Sequence, residues 1–132
     1  SALGLAYRWG YGMALLPAGI GGFAPAAVLI GATEELLYRG YIQGRVRRFG
    51  PLGAAAVASL GHTAYKCALF LLHDQPVRVD LTSLGVLTFA AGLVLGLLRE
   101  RSGSVLPAVA AHGVFDLIAY GGYARAPWWV WS

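Results

Sequence analysis

Residues 81–98 run for 18 positions without a charged side chain. A stretch that long and that apolar is close to the roughly 20 residues a helix needs to cross the ~30 Å hydrocarbon layer of a bilayer. Any fold for the chain must therefore leave a helix of this kind in lipid. The rest of the sequence agrees: only 12% of its 132 residues are charged, 58% are hydrophobic, and the mean hydropathy is +0.62. Soluble domains carry about 25% charged residues, so an ordinary water-facing surface is excluded.

Windows between charges and helix breakers yield three further spans. One begins near Pro25, after the break at residues 17–22, and ends near residue 44, before Arg45, Arg47 and Arg48; a proline in the first helical turn has no amide whose loss matters. Another covers residues 51–73, and the last covers residues 104–123. The opening stretch, residues 2–16, contains Arg8 and is short for a crossing, so it reads as a partial or interfacial helix. The expected fold is all-α: a polytopic transmembrane bundle of four spans plus that N-terminal helix, forming one membrane-embedded domain over residues 1–132. The first residue is Ser, and no secretory signal pattern follows. A core trimmed from a longer chain is expected.

The net charge of +4 comes from bases that flank apolar runs. That pattern fits membrane topology better than nucleic-acid binding. Arg45, Arg47 and Arg48 lie between the first two spans, and Arg99 and Arg101 lie between the last two. These loops are expected to face the cytoplasm, because basic residues are retained on that side. Between the second and third spans, Arg78 is offset by Asp74 and Asp80. Trp128, Trp129, Val130 and Trp131 then suit the outer interface. Nine Arg to one Lys, with abundant Ala and Gly, hints at a G+C-rich bacterial source, so the expected location is a bacterial cytoplasmic membrane. Cys67 is the single cysteine, so no internal disulfide forms and it reads as a packing residue.

Ionisable side chains at membrane depth are costly and mark functional sites. The first span holds Glu34, Glu35 and Arg39, the second His62 and Lys66, and the last His112 and Asp116. At about 1.5 Å per residue, Glu34 and His62 each lie roughly 16 Å from the arginine-rich end of their spans, and His112 about 12 Å. Three helices thus present polar groups at nearly one level, as a shared interior site requires. Glu35 and Arg39 are four apart with the acid first, the favourable order for a helical ion pair. That pairing leaves Glu34, about 100° around the helix, free to point elsewhere. His112 and Asp116 are likewise four apart and share a face. A carboxylate, imidazoles and a water suffice for general-base hydrolysis, the carboxylate taking the water proton and neighbouring donors stabilising an oxyanion.

These residues resemble the CPBP family of intramembrane endopeptidases, the CAAX protease and bacteriocin-processing (Abi) group. Glu34-Glu35-Leu-Leu-Tyr-Arg39 matches its EExxxR signature, His62 falls at its FxxxH motif, and His112-Gly-Val-Phe-Asp116 falls at HxxxN or HxxxD. Residues 96–104 also look like the family's connection into the third-motif helix. The likeness covers residues 24–118. It implies that Glu34 activates water with His62 as its helper, that His112 and Asp116 serve the oxyanion, and that Glu35 and Arg39 order the site or hold substrate. The substrate would be a membrane-associated protein or peptide in the lipid bilayer, and no cofactor is required. Two positions depart from the pattern: Ala58 stands where Phe is expected, and Asp116 where Asn is commoner. A carboxylate donates to an oxyanion only when protonated, so Asp116 could instead orient His112.

Other assignments use the same residues. Glu34, His62 and His112 form a His2Glu set of the kind that binds catalytic zinc with a position open for water. Asp116 could pair with Lys66, which has no other assigned task. A proton relay would need a polar path to both faces, and the third span offers only Thr82, Ser83 and Thr88. A non-catalytic membrane partner, such as a bacteriocin self-immunity protein, would tolerate Glu34→Gln. No residue pattern specifies an oligomeric state.

Overall fold

The computed structural model describes residues 1–72 and 80–125. The expectations for Asp74, Arg78, Trp128, Trp129, Val130 and Trp131 fall outside these residues. Everything regular among the described residues is helical: α1 (Ala2–Gly10), α2 (Ala24–Glu35), a π-helix (Leu36–Ile42), α3 (Gln43–Arg45), a 3-10 turn (Arg47–Phe49), α4 (Gly50–Leu72), α5 (Leu81–Ser102) and α6 (Leu106–Tyr120).

The all-α expectation holds, but the described residues do not form four clear spans. Among the described residues, two segments are long and apolar enough to cross a membrane: Arg47–Leu72, which includes α4, and Leu81–Ser102, which is α5. The first expected span is helical without interruption from residue 24 to 45, but it carries Glu34, Glu35 and Arg39 and widens into the π-helix halfway. The last is only 15 residues long. It stops at Tyr120 because the chain leaves the helix to pair with the segment before α2: Gly21 N–H donates to the Gly121 carbonyl and Phe23 N–H to that of Tyr123. A Cβ at Gly21 would collide with the Tyr123 carbonyl, so the close approach requires glycine there.

The opening stretch forms the nine-residue α1 against α6. Its Arg8 is buried and donates hydrogen bonds to the carbonyls of Ala14, Ile118 and Ala119. Two of these carbonyls belong to the last turn of α6, where helical carbonyls lack partners and a cation is favourable. α5 starts on Asp80, whose carboxylate accepts from Thr82 N–H at 3.0 Å and Ser83 Oγ at 2.6 Å. The bonds from Ser83 and Thr82 hold the Asp80 carboxyl below its ordinary range.

α4 packs along α5 where Ala55 and Ser59 meet the α5 glycines Gly96 and Gly92, and Ala54, Ala55 and Ala58 of α4 are fully buried. Small residues let helices approach in lipid, where burying leucine gains little. Large apolar side chains point outward instead, among them Leu60, Leu72, Val86, Leu87 and Leu106. Among the described residues, the largest fully buried side chains are Arg39, Gln43, Glu35 and Ser59. A polar interior under an apolar exterior is the arrangement expected of a helix bundle in lipid.

Candidate active site

α2, the π-helix, α4 and α6 bring all six expected site residues together. Glu34 and Glu35 close α2, Arg39 lies one turn on in the π-helix, His62 faces them from α4, and His112 and Asp116 face them from α6. Glu35, Arg39, Glu34, His62 and Asp116 are buried. α6 can approach because residue 31 is glycine: a Cβ there would meet the Asp116 carboxylate and lie 3.0 Å from His112 Cδ2.

Glu35 and Arg39 form an ion pair at 3.0 Å, both side chains wholly buried. The oxygen involved, Glu35 Oε1, also accepts from His112 Nδ1 at 2.8 Å. Arg39 Nη1 in turn lies 3.2 Å from His62 Nδ1. A guanidinium only donates, so His62 Nδ1 accepts and the proton of the neutral ring sits on Nε2. That nitrogen stands 3.2 Å from Glu34 Oε2, in contact but off the line of a hydrogen bond. On the other ring the order is reversed: His112 Nδ1 carries the hydrogen bonded to Glu35, and Nε2 faces Glu34 Oε2 and Asp116 Oδ1, each at 3.8 Å.

One oxygen of Glu34 therefore looks onto both imidazoles, a donor nitrogen on one side and a nitrogen able to take up a proton on the other. The imidazole rings are 6.5 Å apart between centroids. Beside Glu34 is a cavity of about 270 Å³ bounded by Leu29, Ile30, Thr33 and Tyr65.

The donor chemistry of the two histidines differs with respect to the zinc alternative. Metal-bound histidines offer one nitrogen lone pair and donate from the other ring nitrogen to an acceptor. His112 meets that requirement through Glu35. His62 does not, because its second nitrogen faces arginine. Among the described residues, no group of three or more His, Cys, Asp or Glu could hold a metal ion.

Several contacts were not anticipated. Lys66 forms its ion pair with Glu34 Oε1, not with Asp116. The Tyr38 ring stacks on His62, with centroids 4.6 Å apart and planes at 30°. Ser59 is buried against Gly92 beside Arg39. Gln43 donates to the Gly96 carbonyl and to Glu100 Oε1, both at 2.9 Å. Glu35, Arg39 and Gln43 recur every fourth residue, a spacing that marks Gln43 as part of the same buried stripe. Glu100 also takes its neighbour Arg99 at 2.6 Å and Arg47 at 3.0 Å, the latter fastening the 3-10 turn before α4 to the end of α5.

A family model described as type II CAAX prenyl endopeptidase Rce1-like matches residues 15–118. No curated protein and no solved structure matches the chain.

Proposed function

The chain belongs to the Rce1-like family of type II CAAX prenyl endopeptidases, which are membrane-embedded peptidases, and we propose that it hydrolyses a peptide bond of a membrane-associated protein or peptide with water activated by Glu34. The observation that carries this reading is the setting of Glu34 Oε2, with His62 Nε2 at 3.2 Å and His112 Nε2 at 3.8 Å.

Water held between these groups gives a proton to Glu34 Oε2, and its oxygen attacks the scissile carbonyl carbon. The carbonyl π electrons move onto oxygen, and donors at His62 Nε2 and at a protonated His112 Nε2 stabilise that oxyanion. The oxyanion then re-forms the carbonyl, the C–N bond breaks, and the proton held by Glu34 passes to the departing nitrogen. The products are one carboxyl and one amine terminus. Glu35 holds His112 through Nδ1 and Arg39 through the same oxygen, and Asp116 borders His112 Nε2. The substrate backbone must leave lipid to react, because unsatisfied peptide groups are not tolerated there. The apolar cavity beside Glu34 suits a segment delivered from the bilayer. The arginine-rich end of the bundle faces the cytoplasm in this proposal, as its five arginines favour.

The test is cleavage of a lipid-anchored peptide by the protein in proteoliposomes. Glu34→Gln and His112→Ala should each lower turnover by about 100-fold or more, the usual loss on removing a general acid or base. Full turnover by both variants would overturn the assignment.

A further inference from the structure

Lys66 lies one turn beyond His62 on α4, so both side chains reach Glu34 from the same helix face. Its ammonium contacts Glu34 Oε1, while both imidazoles face Oε2. We infer that Lys66 is a positioning residue that divides the labour of the Glu34 carboxylate, anchoring one oxygen so that the other is held toward the water and the two histidines. The inference rests on the assignment of Glu34 as the base.

The terminal torsion of a glutamate is broad and nearly two-fold, so an untethered carboxylate presents either oxygen and a range of planes. Among the described residues, no backbone amide donates a hydrogen bond to Glu34 that would fix it; its ionic contacts there are Lys66, His62 and His112. The two imidazoles cannot hold the plane and also serve the reaction, since each must exchange partners as water and oxyanion form. A cation on Oε1 keeps the carboxylate plane oriented throughout, and orientation arranged before reaction lowers the barrier. Lysine suits the task better than arginine. Its ammonium is a compact charge that can sit on one oxygen, whereas a guanidinium fork spans both oxygens of a carboxylate and would cover the working one. The Lys66 side chain is 27% exposed against 10% for Glu34, so a small solute can reach the anchoring position.

The experiment compares Lys66→Met, Lys66→Ala and Lys66→Arg with the parent and Glu34→Gln in the same proteoliposome assay, with thermal unfolding of each variant recorded. Lys66→Met should lower kcat on the order of 100-fold, the loss that follows a displacement of about 1 Å, with KM little changed. Lys66→Arg should fold as the parent does and remain slow. Methylammonium added to Lys66→Ala should restore part of kcat, while tetramethylammonium, which has no N–H to place on Oε1, should not. Unchanged kcat in Lys66→Met alongside an inactive Glu34→Gln would overturn the role of Lys66 and leave the base assignment standing. Full recovery in Lys66→Arg, or equal rescue by both ammonium ions, would reduce Lys66 to a neutralising charge and overturn the positioning role. Full activity in Glu34→Gln would overturn the base assignment itself. If Lys66→Met and Lys66→Ala do not fold, Lys66→Arg alone decides: parental kcat overturns the inference.

Discussion

His112 and Glu35 are joined by a 2.8 Å hydrogen bond from Nδ1 to Oε1, and the same carboxylate oxygen receives Arg39 Nη1 at 3.0 Å. One atom thus ties α6 to the first long helix, and through Arg39 to His62 on α4. Glu35 and Arg39 are wholly buried. Removing one member leaves an uncompensated charge inside the bundle, at a cost of about 3–5 kcal/mol. Arg39→Met should therefore unfold at markedly lower temperature or denaturant than the parent. Combining it with Glu35→Gln should recover much of that loss but not the activity, because His112 no longer has a carboxylate to fix its ring. A double variant that cleaves at the parental rate would show that the pair has no part in arranging the histidines.

The contact from Arg39 to His62 Nδ1 also bears on metal dependence. With the proton of the neutral ring on Nε2, His62 has no lone pair to offer zinc on the side facing Glu34. Cleavage should survive dialysis against a strong chelator, and elemental analysis of the dialysed active protein should find zinc well below one equivalent. Stoichiometric zinc whose removal abolishes cleavage and whose return restores it would contradict this.

Gly92 makes room for the Arg39 guanidinium. A Cβ at that position would lie 2.7 Å from Arg39 Nη2 and 2.8 Å from Ser59 Oγ. Gly92→Ala should cost about 1–3 kcal/mol, as overpacking a tight interior does, and should lower cleavage by shifting Arg39 off Glu35 and His62. Gly61→Ala on α4 is the matched control, because its Cβ would find Tyr38 Cε1 at an ordinary 3.8 Å. It should be neutral or stabilise by up to about 1 kcal/mol through helix propensity. Equal unfolding temperatures for the two variants would refute the role given to Gly92.

Asp80 caps α5 outside the membrane span, and its carboxyl is held below the ordinary value of 3.8 by Ser83 and Thr82. A carboxyl with a depressed folded value adds stability above its unfolded pKa, and that stability is lost as pH falls through the folded one. Asp80→Ala should therefore lower the unfolding temperature at neutral pH and have little effect well below pH 3.8. A difference of the same size at both pH values would mean that the ionised cap is not what stabilises the start of α5.

The sequence showed that the chain is helical and belongs in lipid, because residues 81–98 pass without a charge and charged residues are scarce throughout. It also brought out the polar level of Glu34, His62 and His112, since helical rise converts spacing into depth. The pairing of Glu35 with Arg39 was readable for the same reason, as four residues make one turn. The crossing count was less legible. Charges inside the first expected span, and the return of residues 121–123 to residues 21–23, leave two segments among the described residues, not four, that meet the length and apolarity needed.

Contacts between helices were not readable in the same way. Tyr38 on His62, Lys66 on Glu34 Oε1 and the double use of Glu35 Oε1 depend on how α2, the π-helix, α4 and α6 rotate about their axes and how closely they approach. Periodicity along one helix determines which residues share its face, and composition determines the solvent that face meets. Which atom meets which across the interface was decided only by packing, through small residues such as Gly31 and Gly92 that let charged groups come within hydrogen-bond range.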